Sequence, residues 1–476
     1  MSGCENEKRL KKSDSFKEED QISNLPEPLL CHILSLLSMK DAVKTSLLGP
    51  KWKDLWAAVP NLEFDFKSMY HPNGPCCDSE DKLSKFMDFV EGGLILRDGL
   101  NIQKFNLSCF QICDFSQIYA WICNVITCNV QEIDIRLSVH PYGQLPWRLL
   151  TCKTLGVLKL TGRFVLNVPA NICFPSLKIL HLRSLIYTDD ASIEKLFSSC
   201  PILEDLDVVR HDWDNVWSFN VSVQSLRRLS LCFHPKGFEF LKDHQHKIMV
   251  DTPNLEYLKL HNYVSEDYMF YNISCLVEAD LDIIRPRVSS VRRSIFSKGV
   301  GKLFMRMSTV KLLSLSTRTL CVLLFVHDLR YNNIPTFHNL VRLKLGLDPF
   351  LGWHLLPKLL VSSPNLEVLC FEQGLVYVKN NNPNDHHIRF RSMPQEVPEC
   401  LLTHLKTIEI HKLVGKIDEL KLIKYFLKNA MVLKNMTIRC HCMNVVWNVR
   451  DRLLMFHDEI WKCPWGSSSC QVKFII

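Results

Sequence analysis

The chain has 476 residues, of which 47% are hydrophobic and 22% charged, with a formal net charge of +7. That length exceeds the roughly 250–300 residues at which a single core stops growing, so several domains or an extended stack of repeats are expected, with disorder confined to the ends and loops. So mild a charge does not point to nucleic acid, the basic stretch from Arg285 to Arg306 reads as a solvated loop, and the longest apolar run, Leu320 to Val326, falls far short of a membrane span.

Residues 1–20 combine Lys8, Arg9, Lys11 and Lys12 with Glu18, Glu19 and Asp20, carry too little apolar surface to fold alone, and are expected to form a disordered tail. No apolar stretch follows Met1, so no signal peptide is expected; the protein is placed in the nucleus and/or cytoplasm as a soluble chain. Its 20 cysteines are then reduced thiols that pack as small hydrophobes.

Residues 21–66 form the next unit. Leu29, Leu30, Ile33, Leu34 and Leu37 recur at helical spacing with Pro28 in the first turn. Asp41 is read as the N-cap of a second helix through Val43, Leu47 and Leu48, followed by Trp52, Leu55 and Trp56. Helices this apolar in so short a segment have little core to share, which implies that a partner covers part of their surface. The Leu25-Pro26 start, the Ile33-Leu34-Ser35 centre, the Thr45-Ser46 pair and the Trp52-x-x-Leu55-Trp56 end closely resemble an F-box of the kind common in plants. The resemblance implies docking onto the small adaptor that links F-box proteins to the cullin scaffold of an SCF-type ubiquitin ligase. By motif position the contacts would be Leu25, Pro26, Leu29, Leu30, Ile33, Leu34 and Trp52. Gly49-Pro50-Lys51 stands where the family usually has Ser-Lys-Arg. A proline inside a helix costs about 3 kcal/mol, so the second helix is expected to stop near Leu48, break at Gly49 and restart at Pro50.

Residues 67–396 repeat one motif: an apolar residue, two others, an apolar residue, one other, an apolar residue. Two weaker copies, Ile102-Phe105-Leu107 and Val130-Ile133-Ile135, precede Leu155-Leu158-Leu160, Leu177-Leu180-Leu182, Leu203-Leu206-Val208, Leu226-Leu229-Leu231 and Leu255-Leu258-Leu260. Then come Leu276-Ala279-Leu281, Val310-Leu313-Leu315, Leu340-Leu343-Leu345 and Leu366-Leu369-Phe371, with Leu405-Ile408-Ile410 and Leu433-Met436-Ile438 completing thirteen copies. Their spacing is that of a leucine-rich repeat, although a regular asparagine after the third apolar position is missing. In a short strand the last two apolar positions share one face, which a single copy cannot cover; stacked copies bury it together. The expected fold is therefore α/β, a short N-terminal helical F-box followed by an irregular leucine-rich-repeat solenoid with a curved parallel sheet. Its inner face, about 60 Å long for thirteen strands, has room for a protein partner. Charged residues beside the buried leucines project there: Glu132, Asp134, Asp205, Asp207, Glu278, Asp280 and Asp282 with one sign, Lys259, His261, Arg342 and Lys344 with the other. These are the candidate target contacts.

Residues 397–476 carry the last two copies, joined by an amphipathic helix with Leu420, Ile423, Tyr425, Phe426 and Leu427, and end on Trp461-Lys-Cys-Pro-Trp465. This segment resembles the FBD module found at the end of many plant F-box and leucine-rich-repeat proteins and is expected to close the solenoid, which needs a covered end.

Catalytic spacing is missing throughout. Lys298-Gly299-Val300-Gly301-Lys302 lacks both the earlier glycine and the hydroxyl residue of a phosphate loop, and Cys440-His441-Cys442 has no second cluster at zinc-site spacing. His386-His387 sits in an Asn-rich loop, and no Gly-x-Ser-x-Gly elbow occurs. No cofactor or metal is implied. The expected function is that of a non-enzymatic substrate-recognition adaptor of a cullin–RING ligase, holding a target protein on the solenoid. The alternative is a non-ligase repeat scaffold or receptor with a degenerate F-box.

Overall fold

Every copy of the repeat opens one strand of a single parallel ladder in the computed structural model, which describes residues 20–69, 79–97, 99–113, 115–139, 142–211, 215–233, 246–263, 265, 267–284, 290–326, 334–347, 355–372, 374–375, 396–413, 415–440 and 456–475. In chain order the ladder begins with Asn61–Asp65, Lys104–Cys113, Glu132–Val139, Val157–Thr161, Ile179–Tyr187, Asp205–Arg210, Arg228–Phe233 and Tyr257–Tyr263. It continues through Glu278–Ile284, Leu312–Leu315, Arg342–Leu345, Val368–Phe371, Thr407–Leu413, Asn435–Cys440 and Gln471–Ile475. Each strand pairs in parallel with the next. The fold is thus α/β, with a short helical unit ahead of an irregular repeat stack built on one large parallel sheet.

The first and last strands lie outside the thirteen copies read from the pattern. Val59, Leu62 and Phe64 have the right spacing but sit at the end of the helical unit; at the other end Ser469 takes the first apolar position before Val472 and Phe474.

Register explains the core. Leu206, Leu229, Leu258, Ala279, Leu313 and Leu343 form one row across consecutive strands, each at most 1% exposed. Each full leucine burial is worth about 1.5–3 kcal/mol, and no coil could obtain it alone. A second ladder runs through the residue just before the first apolar position. Thr154 Oγ1 donates to the carbonyl of Val130, Ser225 Oγ to Leu203, Asn254 Nδ2 to Gln224, Asn339 Nδ2 to Thr309 and Asn365 Nδ2 to His338. These side chains satisfy carbonyls that the strands leave free, the task the missing asparagine position would have had.

The return limbs vary, and so does the repeat length. Ser218–Ser222, Lys247–Asp251 and Asp267–Tyr271 form a separate three-stranded parallel sheet, the last within the short Leu255-to-Leu276 coil. Phe164–Leu166 pairs in parallel with Gly143–Gln144, and other returns are helical, as in Asp190–Ser198, Ile417–Asn429 and the long Ser290–Met305 helix between Leu276 and Val310. Fifteen cysteines of the described residues are free thiols. Among the described residues no helix is long and apolar enough to cross a membrane.

Arg97, 2% exposed, joins the helical unit to the ladder by donating to the carbonyls of Val59 and Asn101. Desolvation of that buried guanidinium pulls its pKa down. Lys40 Nζ adds a second tie, 2.7 Å from the Met69 carbonyl.

Candidate functional site

Two surfaces merit attention, the helical unit and the open face of the ladder. The first begins with the helix Glu27–Ser35, which starts after Pro26 and holds Pro28 where a missing N–H costs nothing. Its two apolar stripes face opposite environments. Leu30 and Leu34 are fully buried, whereas Leu29 and Ile33 are exposed and Leu36, just past the helix, is 75% exposed. The next helix spans Met39–Lys44 and is capped by Ser38, not by Asp41 as the sequence suggested. Ser38 Oγ accepts from the Asp41 N–H at 3.2 Å and donates to the Asp41 carboxylate at 2.8 Å, so Asp41 is the reciprocal partner three residues on.

A 3-10 turn, Thr45–Leu47, leaves Leu47 88% and Leu48 67% exposed. The chain then breaks at Gly49 and restarts as a second 3-10 turn at Pro50–Trp52, the arrangement proline favours. Trp52 lies inside, its Nε1 donating to Ser23 Oγ at 2.8 Å, while Lys51 Nζ reaches the Leu25 carbonyl at 2.9 Å. The expected adaptor contacts therefore divide. Pro26, Leu29 and Ile33 are open to a partner and Leu25 is half-buried; Leu30, Leu34 and Trp52 are enclosed by their own chain and hold the unit together. Leu36, Leu37, Leu47 and Leu48, exposed apolar residues in the same unit, were not among them.

The second surface is the face of the ladder opposite the leucines, where all eleven candidate target residues stand. Most are already paired, Asp134 within its own strand and the others with a neighbouring coil. Glu132 meets Lys104 at 2.8 Å and Asp134 meets Arg136 at 2.6 Å. Asp205 lies between His181 at 3.5 Å and Arg228 at 3.8 Å. Asp207 and Asp282 are buried, the former bonded to Arg183 and the latter to Arg318 and Ser316. Lys344 is 3.1 Å from Glu372, whose hydrogen bond raises the lysine's pKa. Among the described residues Lys259, Glu278 and Arg342 have no ion-pair partner within 4 Å, and they are half-exposed.

Asp280 is 3.3 Å from His261. Desolvation pushes its carboxyl up, but hydrogen bonds from His261 and Ser314 and the nearby charges of His261 and Lys259 outweigh that and leave it below the usual carboxylate range. Next to it, short side chains at Ser314, Ser316 and Gly346 leave a polar depression of about 120 Å³. Gly346 cannot be larger, because a Cβ there would stand 2.6 Å from the Thr317 amide nitrogen. Further along, Cys370 faces Glu409 in register; desolvation, aided by Glu409 and Glu372, pushes its thiol up to about 12.

A helical unit with solvent-facing leucines is thus joined to a repeat stack with a long polar face, the architecture of a helical cap on a leucine-rich-repeat solenoid. Comparison identifies the lineage. The F-box domain model matches residues 22–64, a model described as FBD-associated F-box protein At5g56370, LRR repeats, matches 118–319, and the FBD model matches 393–438. F-box/LRR-repeat protein At4g14096 of Arabidopsis thaliana is 34% identical over 96% of this chain and 95% of its own length. Putative F-box/FBD/LRR-repeat protein At3g59240 of the same plant is 32% identical over 96% of this chain and 90% of its own. The chain belongs to the plant F-box/FBD/leucine-rich-repeat family.

Proposed function

We propose that the chain is the substrate-recognition subunit of an SCF-type cullin–RING ubiquitin ligase. In this reading residues 21–66 dock onto the cullin adaptor, residues 67–396 hold a target protein, and residues 397–476 close the stack. The observation that carries it is the exposure of Leu29, Ile33, Leu36, Leu37, Leu47 and Leu48 in a unit whose core is otherwise complete. Exposed leucines at this density mark a docking surface, and the F-box family supplies the class of partner. A nuclear and/or cytoplasmic location goes with that partner.

The open face supports binding in place of chemistry. Ser314 and His261 both hydrogen-bond the Asp280 carboxylate, so the three are linked through the acid and not in the hydroxyl–imidazole–acid order of a nucleophile triad. Lys259, Glu278 and Arg342 are the preferred target contacts, because a partner can pair with them without breaking an existing bridge. The decisive experiment titrates purified adaptor against the full chain. Saturable one-to-one binding is expected, lost on Leu47→Asp with Leu48→Asp; a folded wild-type chain that binds no adaptor would instead be the scaffold or receptor.

A further inference from the structure

The thiol of Cys370 stands on the polar face of the ladder, where neighbouring strands carry Lys344 and Glu409 in the same row. Glu409 is its direct register partner, and His411 lies two residues further along on the same face of that strand. The sulfur, a Glu409 carboxylate oxygen and a His411 ring nitrogen all lie within 4.8 Å of one another, with His411 Nε2 already 3.7 Å from Glu409 Oε2. Tetrahedral binding of one ion at bond lengths near 2.0–2.3 Å needs donor separations of about 3.3–3.8 Å. Closing the set from at most 4.8 Å takes movement of roughly 1 Å.

We propose that Cys370, Glu409 and His411 form a binding site for one divalent transition-metal ion of the zinc class. The donor chemistry selects the metal. A thiolate with an imidazole favours zinc or cobalt over magnesium or calcium, which prefer all-oxygen sets. Glu372, two residues beyond Cys370 and just past the strand, lies outside this cluster and is held by Lys344, so water completes the coordination. Two cations border the site: Lys344, held by Glu372, and the exposed Arg439, whose Nη1 is 3.4 Å from His411 Nε2. Arg439 competes with an ion for His411 Nε2 and must swing out when that nitrogen binds the metal. On binding, the Cys370 S–H proton passes to water and an S–metal bond replaces it, with no change of oxidation state.

Cobalt(II) titrated into the reduced, chelator-stripped full chain is the test. One equivalent should give a thiolate-to-cobalt charge-transfer band in the near ultraviolet. Cys370→Ser should abolish that band, and His411→Gln should weaken cobalt binding at least tenfold. Arg439→Gln should tighten it, a gain that a merely structural role for these residues would not produce. Zinc should raise the thermal midpoint of the wild type and leave that of Cys370→Ser unchanged, while the metal-free midpoints report that both are folded. Cys232→Ser, which alters a half-buried thiol elsewhere on the same face, should bind cobalt as the wild type does. Absence of the band at stoichiometric cobalt, or its persistence in Cys370→Ser, overturns the site.

Discussion

Asp207 accepts two hydrogen bonds from Arg183 on the preceding strand while only 8% exposed, and Asp282 is held in the same way by Arg318. Replacing either acid by lysine sets a buried cation against an arginine. The expected cost of Asp207→Lys or Asp282→Lys is about 3–5 kcal/mol. Glu278→Lys, half-exposed and without an ion pair among the described residues, should change stability by less than about 0.5 kcal/mol. Urea denaturation of the three variants checks this; equal midpoints would show that the buried pairs contribute nothing. A test of target capture by charge reversal thus belongs at Glu278, Lys259 and Arg342. Asp280 offers a pH test. Its folded pKa is depressed, so its contribution is full above the unfolded carboxylate value of about 3.9 and is lost as pH falls through the folded value. Asp280→Asn should therefore melt below the wild type at pH 6, and the gap should close towards pH 3. A gap that stays constant over that range would remove the carboxylate charge as its cause.

In the helix Glu27–Ser35, adjacent leucines have opposite roles, and substitution should separate them. Leu34→Ala, at a fully buried position, should cost about 2–5 kcal/mol in the unfolding of the N-terminal unit. Leu36→Asp, at an exposed one, should leave the melt unchanged and weaken adaptor binding at least tenfold by calorimetric titration. If Leu36→Asp binds normally, the docking surface lies elsewhere on the unit. Sequence alone could not draw this distinction, because Leu29, Leu30, Ile33 and Leu34 make the helix apolar on two sides and only tertiary packing decides which is covered. The ladder was far more legible: thirteen apolar copies mark thirteen strands, since burial of one strand face imposes the same spacing on every coil. The strand Asn61–Asp65 escaped notice because its motif overlaps the end of a helical run, and Gln471–Ile475 because a serine opens it. Asn129, Thr154, Asn254 and Asn365 stand in plain view before the first apolar positions, yet their hydrogen bonds to the previous coil emerge only once the coils are stacked. Ion pairs between neighbouring strands of the open face were equally hidden, their partners lying a whole coil apart in the chain. The Gly49 break was readable, because proline's missing N–H acts within one turn.

A parallel ladder has two edges, and each must be blunted if the chain is to remain monomeric. At the N-terminal end the helix Met39–Lys44 packs on the edge strand Asn61–Asp65. At the C-terminal end the ladder finishes on the short strand Gln471–Ile475, which places Gln471 and Lys473 outward. Between Val368–Phe371 and that edge strand lie two strands and the helix Ile417–Asn429, whose Phe426 ring is 6.1 Å from that of Phe371. Ending the chain at residue 396 would strip Leu369 and Phe371 of their cover and leave the N–H and C=O groups that now pair with Thr407–Ile410 open to any other strand. Both effects favour association, the first by apolar area and the second by strand addition. Neighbouring coils also stabilise one another, so the loss should spread back along the stack. The truncated chain is expected to sediment as oligomers at micromolar concentration and to melt at a lower temperature over a broader range than the full chain. Light scattering with a calorimetric scan reads both. A truncated chain that stays monomeric and melts as sharply, at the same temperature, would mean that residues 397–476 are an independent domain whose pairing with the ladder adds nothing to its stability.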